Sequence, residues 1–395
     1  MKIRSTHENI LFMLGHFATD ICHGSIPVIL AYMYQAGRLD SYSAVALLMM
    51  ANTLLNAVVQ PFAGLLVDRS PRPYLMSVGL ALSFGGLMFL GVIENQLLLY
   101  VLIGINGLGS ALFHPAGGKM AHTFGKAKLG KNMSIFSVGG NAGMAAGPFY
   151  FTACYVLFGL PATLCLCMPG LIMIAIYARK NRYYTEICTL DLRHSAQQAP
   201  DEMPKENLHG FAVLLVLLFL RSAGWYSFVS FLPLYYMHNL QLPDEIASLL
   251  NGVVCLCGVV ATFLGGTVSD KIGFNRIIRL SSLLSVPFVA AFTFCTGAAG
   301  ATLFLIPFSF LYFAAMSPCV AIGQKFLSRH VGMATGFTIG LAMSFGGLIA
   351  PLMGALGDHY GIHAVMVAVS GFILAAALVA QLLPQVPQAE TTKTE

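Results

Sequence analysis

His16, Asp20 and His23 sit at i, i+4 and i+7 within residues 10–34, a stretch that is otherwise apolar. That spacing puts all three on one face of a helix. A carboxylate beside imidazoles is a proton carrier, because desolvation, neighbouring charge and hydrogen bonding each change its hold on a proton. Arg221 lies inside a second apolar stretch, 211–237, and opens the run Arg221-Ser-Ala-Gly-Trp225-Tyr226. A fixed cation beside aromatic surface can bind an anion, or it can neutralise Asp20. These two are the only Asp, Glu, Lys or Arg well inside such stretches. A charge at the bilayer centre costs roughly 2.5–3.5 kcal/mol on the insertion scale, and such charges pair or face a watery cavity. Asn106, Asn141, Trp225, Tyr226 and Gln324 are further candidates for the cavity wall, since polar groups in lipid need internal partners.

The elements carrying these residues must cross a membrane. The 395-residue chain is 57% hydrophobic and 9% charged, against about 25% charged in soluble domains. That excludes a water-soluble core protein. The apolar runs divide into about twelve segments of spanning length, near 9–35, 42–67, 73–93, 97–120, 132–156, 159–178, 210–237, 246–268, 278–297, 300–324, 332–356 and 361–383. All 21 basic residues except Arg38 and Arg221 fall on one side of these spans, from Lys2 and Arg4 through Arg69, Lys119 and Lys271 to Lys393. The positive-inside rule then puts both termini in the cytoplasm, and the expected location is the cell inner membrane. The net charge of +5 describes loops beside anionic lipid headgroups and makes no case for nucleic acid. The nine cysteines fall mostly inside spans. Cys165/Cys167 and Cys255/Cys257 lack zinc-site spacing and read as reduced thiols. The first span has no signal-peptide cleavage pattern and is read as retained.

The chain repeats itself. Pro115 and Pro318, Pro148 and Pro351, and Gly143 and Gly346 share one offset, and Asp68 and Asp270 differ from it by a single residue. Gly139 and Gly147 map onto Ala342 and Ala350. Six spans per half is an even number, so both halves enter the membrane from the same side. The repeat is therefore parallel. The expected organisation is a six-helix bundle over 1–178, a cytoplasmic linker over 179–209 with no recognisable folded pattern, and a second bundle over 210–395.

Two copies of one loop pattern follow the second and eighth spans. The first is Gly64-Leu-Leu-Val-Asp68-Arg69-Ser-Pro-Arg72, the second Gly266-Thr-Val-Ser-Asp270-Lys271-Ile-Gly-Phe-Asn-Arg276. The glycine allows close helix approach. The aspartate can dock on the positive end of a neighbouring helix, or pair with nearby arginines, forming a latch that breaks and reforms. The fifth span carries Gly139, Gly143 and Gly147 at every fourth position, followed by Pro148, a stripe for tight packing. The loop pattern resembles the signature of the major facilitator superfamily. The fifth-span stripe partly resembles that of drug–proton antiporters, departing from it at Phe149-Tyr150-Phe151. His16-x-x-x-Asp20, Phe113-His114-Pro115 and Ser134-x-Phe136-x-x-Gly139-Gly140-Asn141-x-Gly143 resemble the fosmidomycin-resistance type of exporter.

The resemblance implies an all-α membrane protein of twelve transmembrane helices in two parallel six-helix repeats, the major facilitator fold. It also implies a midplane cavity lined by the first, fourth, seventh and tenth spans. The activity expected is proton-coupled export of a small amphipathic or anionic compound. Asp20, His16 and His114 would handle the proton. Arg221, Trp225, Tyr226, His23, Asn106, Asn141 and Gln324 would meet the substrate. Uptake by symport, or divalent-metal transport on Asp20 and the histidines, are the alternatives, the second opposed by Arg221. No nucleophile–base set or nucleotide loop indicates an enzyme, and no cofactor or resident metal is expected. The expected partners are protons, membrane lipid and a small-molecule substrate, with the chain as a monomer.

Overall fold

The computed structural model describes residues 5–39, 42–197, 205–242 and 244–386. Lys2, Arg4 and Lys393 of the charge pattern lie outside the described residues. The first half comprises α1 (Ser5–Gln35), α2 (Tyr42–Arg69), α3 (Tyr74–Met88), α4 (Gln96–Gly125), α5 (Leu129–Phe158) and α6 (Cys167–Gln197). The second comprises α7 (Leu208–His238), α8 (Asp244–Ile272), α9 (Phe274–Phe294), α10 (Ala298–Phe326), α11 (Val331–Tyr360) and α12 (Ile362–Gln381). α10 breaks at Ala315, and α11 holds a π-helical turn over Gly336–Leu341. Nine described stretches are long and apolar enough by themselves to cross a bilayer, while α3 spans only 15 residues. No strand occurs among the described residues.

Local chemistry sets the helix ends. Asn95 and Asn207 cap α4 and α7 by accepting from the Leu98 and Gly210 amides, satisfying donors that a helix start leaves free. Gly361, at φ 83° and ψ 161°, turns the chain between α11 and α12 in a conformation essentially confined to glycine. Over 179–197 the expected linker is helical, since α6 continues to Gln197; residues 198–204 lie outside the described residues. Lys180 and Tyr184 explain it. They bind the buried Glu8 carboxylate at 2.6 and 2.7 Å, tying the extension to the start of α1.

The apolar core is not shared evenly. One buried cluster fills the first half and crosses into the second through Phe211, Leu214, Ile322 and Phe326. A separate cluster, with Phe228, Tyr235, Phe292 and Phe308, is confined to the second half. The halves thus share a core at the end where α7 starts and α10 finishes. Within the first half, α5 lies directly on α1. A methyl on Gly139, Gly143 or Gly147 would overlap the carbonyl oxygens of Met13, Phe17 or Ile21. The fourfold glycine spacing therefore meets successive turns of α1, and α5 becomes the backing of the His16–Asp20 face.

Candidate functional site: a central polar cavity

A cavity of about 170 Å³ lies between the halves, with walls from α1, α2, α4, α5, α7, α10 and α11. His16, Asp20, His23, His114, Asn141, Arg221 and Tyr226 all reach it. Asp20 is nearly buried and lies against both neighbouring imidazoles: His114 Nε2 is 3.2 Å from Oδ1 and His16 Nε2 3.3 Å from Oδ2. The partners of the other ring nitrogens assign the protons. His16 Nδ1 is 2.8 Å from the Phe136 carbonyl, which can only accept, so Nδ1 carries a hydrogen. A neutral His16 would then point its Nε2 lone pair at a carboxylate oxygen. The contact is attractive only with a proton between them, either on imidazolium His16 or on Asp20. His114 is less constrained, because Ser110 Oγ, 3.1 Å from its Nδ1, can donate or accept. Gly140 makes room for the group: a methyl there would lie 2.6 Å from His16 Nε2 and 2.8 Å from Asp20 Oδ2. These three side chains bring donor atoms within 4.8 Å of one another, a set that a divalent cation also fits.

Arg221 stands on the other half and does not pair with Asp20; no ion pair joins them among the described residues. Its guanidinium lies 4.2 Å from the centroid of the Tyr312 ring and donates to the Tyr312 carbonyl, with a long contact of 3.4 Å to Ser282 Oγ. The Tyr312 hydroxyl returns a bond to the Arg221 carbonyl at 3.2 Å. Trp225 stacks on Tyr312 at 4.5 Å. It braces the ring under Arg221 and is absent from the cavity wall. Asn106 and Gln324 also lie away from the wall. Asn106 is fully buried and ties α4 to Asn52 and Ser83 at 2.7 and 2.8 Å. Gln324 joins His122 and Thr335 at 2.9 Å each. Asn141 bridges the halves, donating to Thr262 Oγ1 at 3.3 Å.

The two loop aspartates occupy matching places. Asp68 accepts from the Gly332 and Met333 amides at the start of α11, both at 2.9 Å. Asp270 accepts from the Gly130 and Lys131 amides at the start of α5, at 2.7 and 2.8 Å. Each acid of one half thus docks on a helix N-terminus of the other, where the dipole and free amides favour an anion. Gly64 and Gly266 let these pairs meet, since a methyl would strike the backbone at Gly332 or Gly130. The cation beside Asp68 is Lys119, at 2.9 Å. Arg72 instead donates to Ser70, and Arg69, Lys271 and Arg276 are exposed.

Tyr312 and Asn56, which also line the cavity, were missed in the sequence reading, while Gly140, quoted only within the fifth-span motif, and Gln60 were given no place in the site. Asn52, Asn56 and Gln60 recur every fourth residue in an apolar helix, a signal of the same kind as His16–Asp20.

Two helical halves clasped at one end around a cavity that holds buried charged side chains define a multi-pass membrane transporter. The chain belongs to the Major Facilitator Superfamily, whose family model matches residues 12–351 and 214–395. It is 28% identical over 390 residues to an uncharacterized MFS-type transporter, YfnC, of Bacillus subtilis (strain 168), covering 97% of this chain and 94% of that protein. It is 25% identical over 353 residues to the fosmidomycin resistance protein of Escherichia coli (strain K12), covering 89% and 86%. A crystal structure of the transporter FucP in the outward conformation superposes with a TM-score of 0.74 over 96% of this chain and 99% of that one, at 15% identity.

Proposed function

We propose that the chain is a proton-coupled exporter of a small amphipathic or anionic compound, working by alternating access in the cell inner membrane with both termini cytoplasmic. The observation that carries the proton coupling in this reading is the contact between His16 and Asp20, which needs a proton to be attractive. With that proton in place, Asp20, His16 and a neutral His114 sum to zero charge. Arg221 is then the uncompensated charge in the cavity and attracts an anion. Loss of the proton leaves the cluster negative and opposes the anion. Proton and cargo are thereby linked. The halves 1–178 and 210–395 are the bodies that rock, with Asp68 and Asp270 as latches on the cytoplasmic side.

Likeness to the fosmidomycin resistance protein supports export. The charge balance supports a second reading, symport, because an anion and a proton stabilise each other in the cavity. Proteoliposomes with an imposed pH gradient and an internal pH dye distinguish them, with fosmidomycin as the first probe and a panel of small anions beside it. Antiport makes the lumen more alkaline as the compound enters, and symport makes it more acid. A compound that crosses with no proton movement overturns the coupling.

A further inference from the structure

Besides Arg221 and the proton cluster, the cavity holds a third set of polar atoms. Gln60 is fully buried, and neither Oε1 nor Nε2 has a hydrogen-bond partner within the protein. Asn56 Oδ1 and His23 Nδ1 are likewise buried without a partner. All three side chains line the cavity. Asn56 and Gln60 lie one turn apart on α2, and His23 comes from α1. Buried polar atoms in folded proteins are overwhelmingly paired, and leaving them unpaired is destabilising. Four such atoms, on side chains that line one cavity, therefore mark a candidate recognition surface. The position of Gln60 is also built: Gly340 of α11 is bare, and a side chain there would overlap the Gln60 amide.

We infer that His23, Asn56 and Gln60 form a hydrogen-bonding subsite that selects the cargo by a neutral donor–acceptor group, a hydroxyl or amide, carried beside its negative charge. The amide nitrogen of Gln60 donates; its oxygen and that of Asn56 accept; and His23 Nδ1 does either according to tautomer. A hydroxyl needs both a donor and an acceptor, and this trio supplies both. Arg221, held over Tyr312, receives the oxyanion. The cavity of about 170 Å³ is smaller than the roughly 300 Å³ at which drug-sized pockets begin. The cargo is thus a compact anion, and a bulky compound is a poor fit. This inference rests on the reading of the cavity as the transport site, and its test is separable from that of transport.

The test uses purified full-length protein in nanodiscs and two matched probe pairs: glycolate against acetate, and 2-hydroxyethylphosphonate against ethylphosphonate. Ligand-induced thermal stabilisation, titrated to an apparent Kd, is the readout. A site with buried unpaired polar groups strongly rejects an analogue lacking the matching group. The wild-type protein is expected to prefer the hydroxylated member of at least one pair by about tenfold or more. Gln60→Met keeps side-chain length and removes the amide; it should collapse that preference to within about twofold while retaining the binding of the unhydroxylated anion. Asn56→Ala should reduce the preference in part, and guards against a folding defect peculiar to the first variant. Equal stabilisation by both members of each pair overturns the inference, as does a preference that survives Gln60→Met. Stabilisation by none of the four probes also overturns it, while the transport reading is judged apart, by Asp20-dependent proton movement.

Discussion

At the residue scale the proposed proton site makes the sharpest demand. Asp20→Asn keeps shape and one acceptor oxygen but cannot hold the charge that His16 and His114 converge on. Gradient-driven flux should fall to background, while gradient-independent exchange of cargo survives. Wild-type gradient-driven flux in this variant would remove Asp20 from the proton role. Gly140→Ala probes the same cluster without altering a titratable group. Its methyl would press on the His16 ring and the Asp20 carboxylate, so coupling should weaken, seen as fewer protons moved per molecule transported. An unchanged ratio would mean the cluster can shift without consequence. His16, Asp20 and His23 were legible in the sequence because helical spacing alone puts them together. Arg221 was legible as a buried charge, but its partner was not. Tyr312 holds it through a backbone carbonyl and a ring face, and neither leaves a mark in the spacing. Trp225, Asn106 and Gln324 show the converse limit: a polar or amphipathic side chain in a span needs a partner, and here that partner is the packed interior, not the cavity.

At the element scale, the two loop motifs act as caps for helices of the opposite half. Sequence alone gave the glycine–aspartate pairs and their repeat; it could not give α11 and α5 as the receptors, because those contacts join residues far apart in the chain. Nor did it give Lys119, which lies on α4 and displaces the expected Arg69 and Arg72 as partner of Asp68. That difference makes the two latches unequal. Asp68→Asn loses an anion docked on a helix start, about 0.3–2 kcal/mol, and takes the carboxylate partner from Lys119, whose side chain is only 16% exposed and keeps the Val67 carbonyl. Asp270→Asn loses the docking and a longer-range attraction to Lys325, but breaks no direct ion pair of the kind Asp68 makes. We expect Asp68→Asn to raise the open population at the latched end more than Asp270→Asn does, by several-fold against about twofold or threefold. Spin-label distances across the α2–α11 gap measure this. Equal shifts in the two variants would deny Lys119 its part.

At the scale of the whole molecule, the site is divided between equivalent helices of two repeats: α1 and α4 carry Asp20 and His114, α7 and α10 carry Arg221 and Tyr312. The repeat that the sequence revealed through prolines and glycines is thus a repeat of scaffold, while the chemistry has diverged, with the carboxylate–imidazole cluster on one half and a cation on the other. Separation of this kind makes relative motion of the halves matter, because it changes the distance between charges that do not touch in the present state. The halves are joined by a shared core and two latches at one end, and the second core of α7–α12 stays within its own half. If each half moves as a body, loosening one latch must loosen both. In Asp68→Asn, labels across α5–α8 should therefore shift in the same proportion as labels across α2–α11, although Asp270 and its partners at Gly130 and Lys131 are untouched. Opening confined to the α2–α11 side would show that α2 or α11 bends alone, for instance at the π turn of Gly336–Leu341, and would replace rocking of halves with gating by single helices.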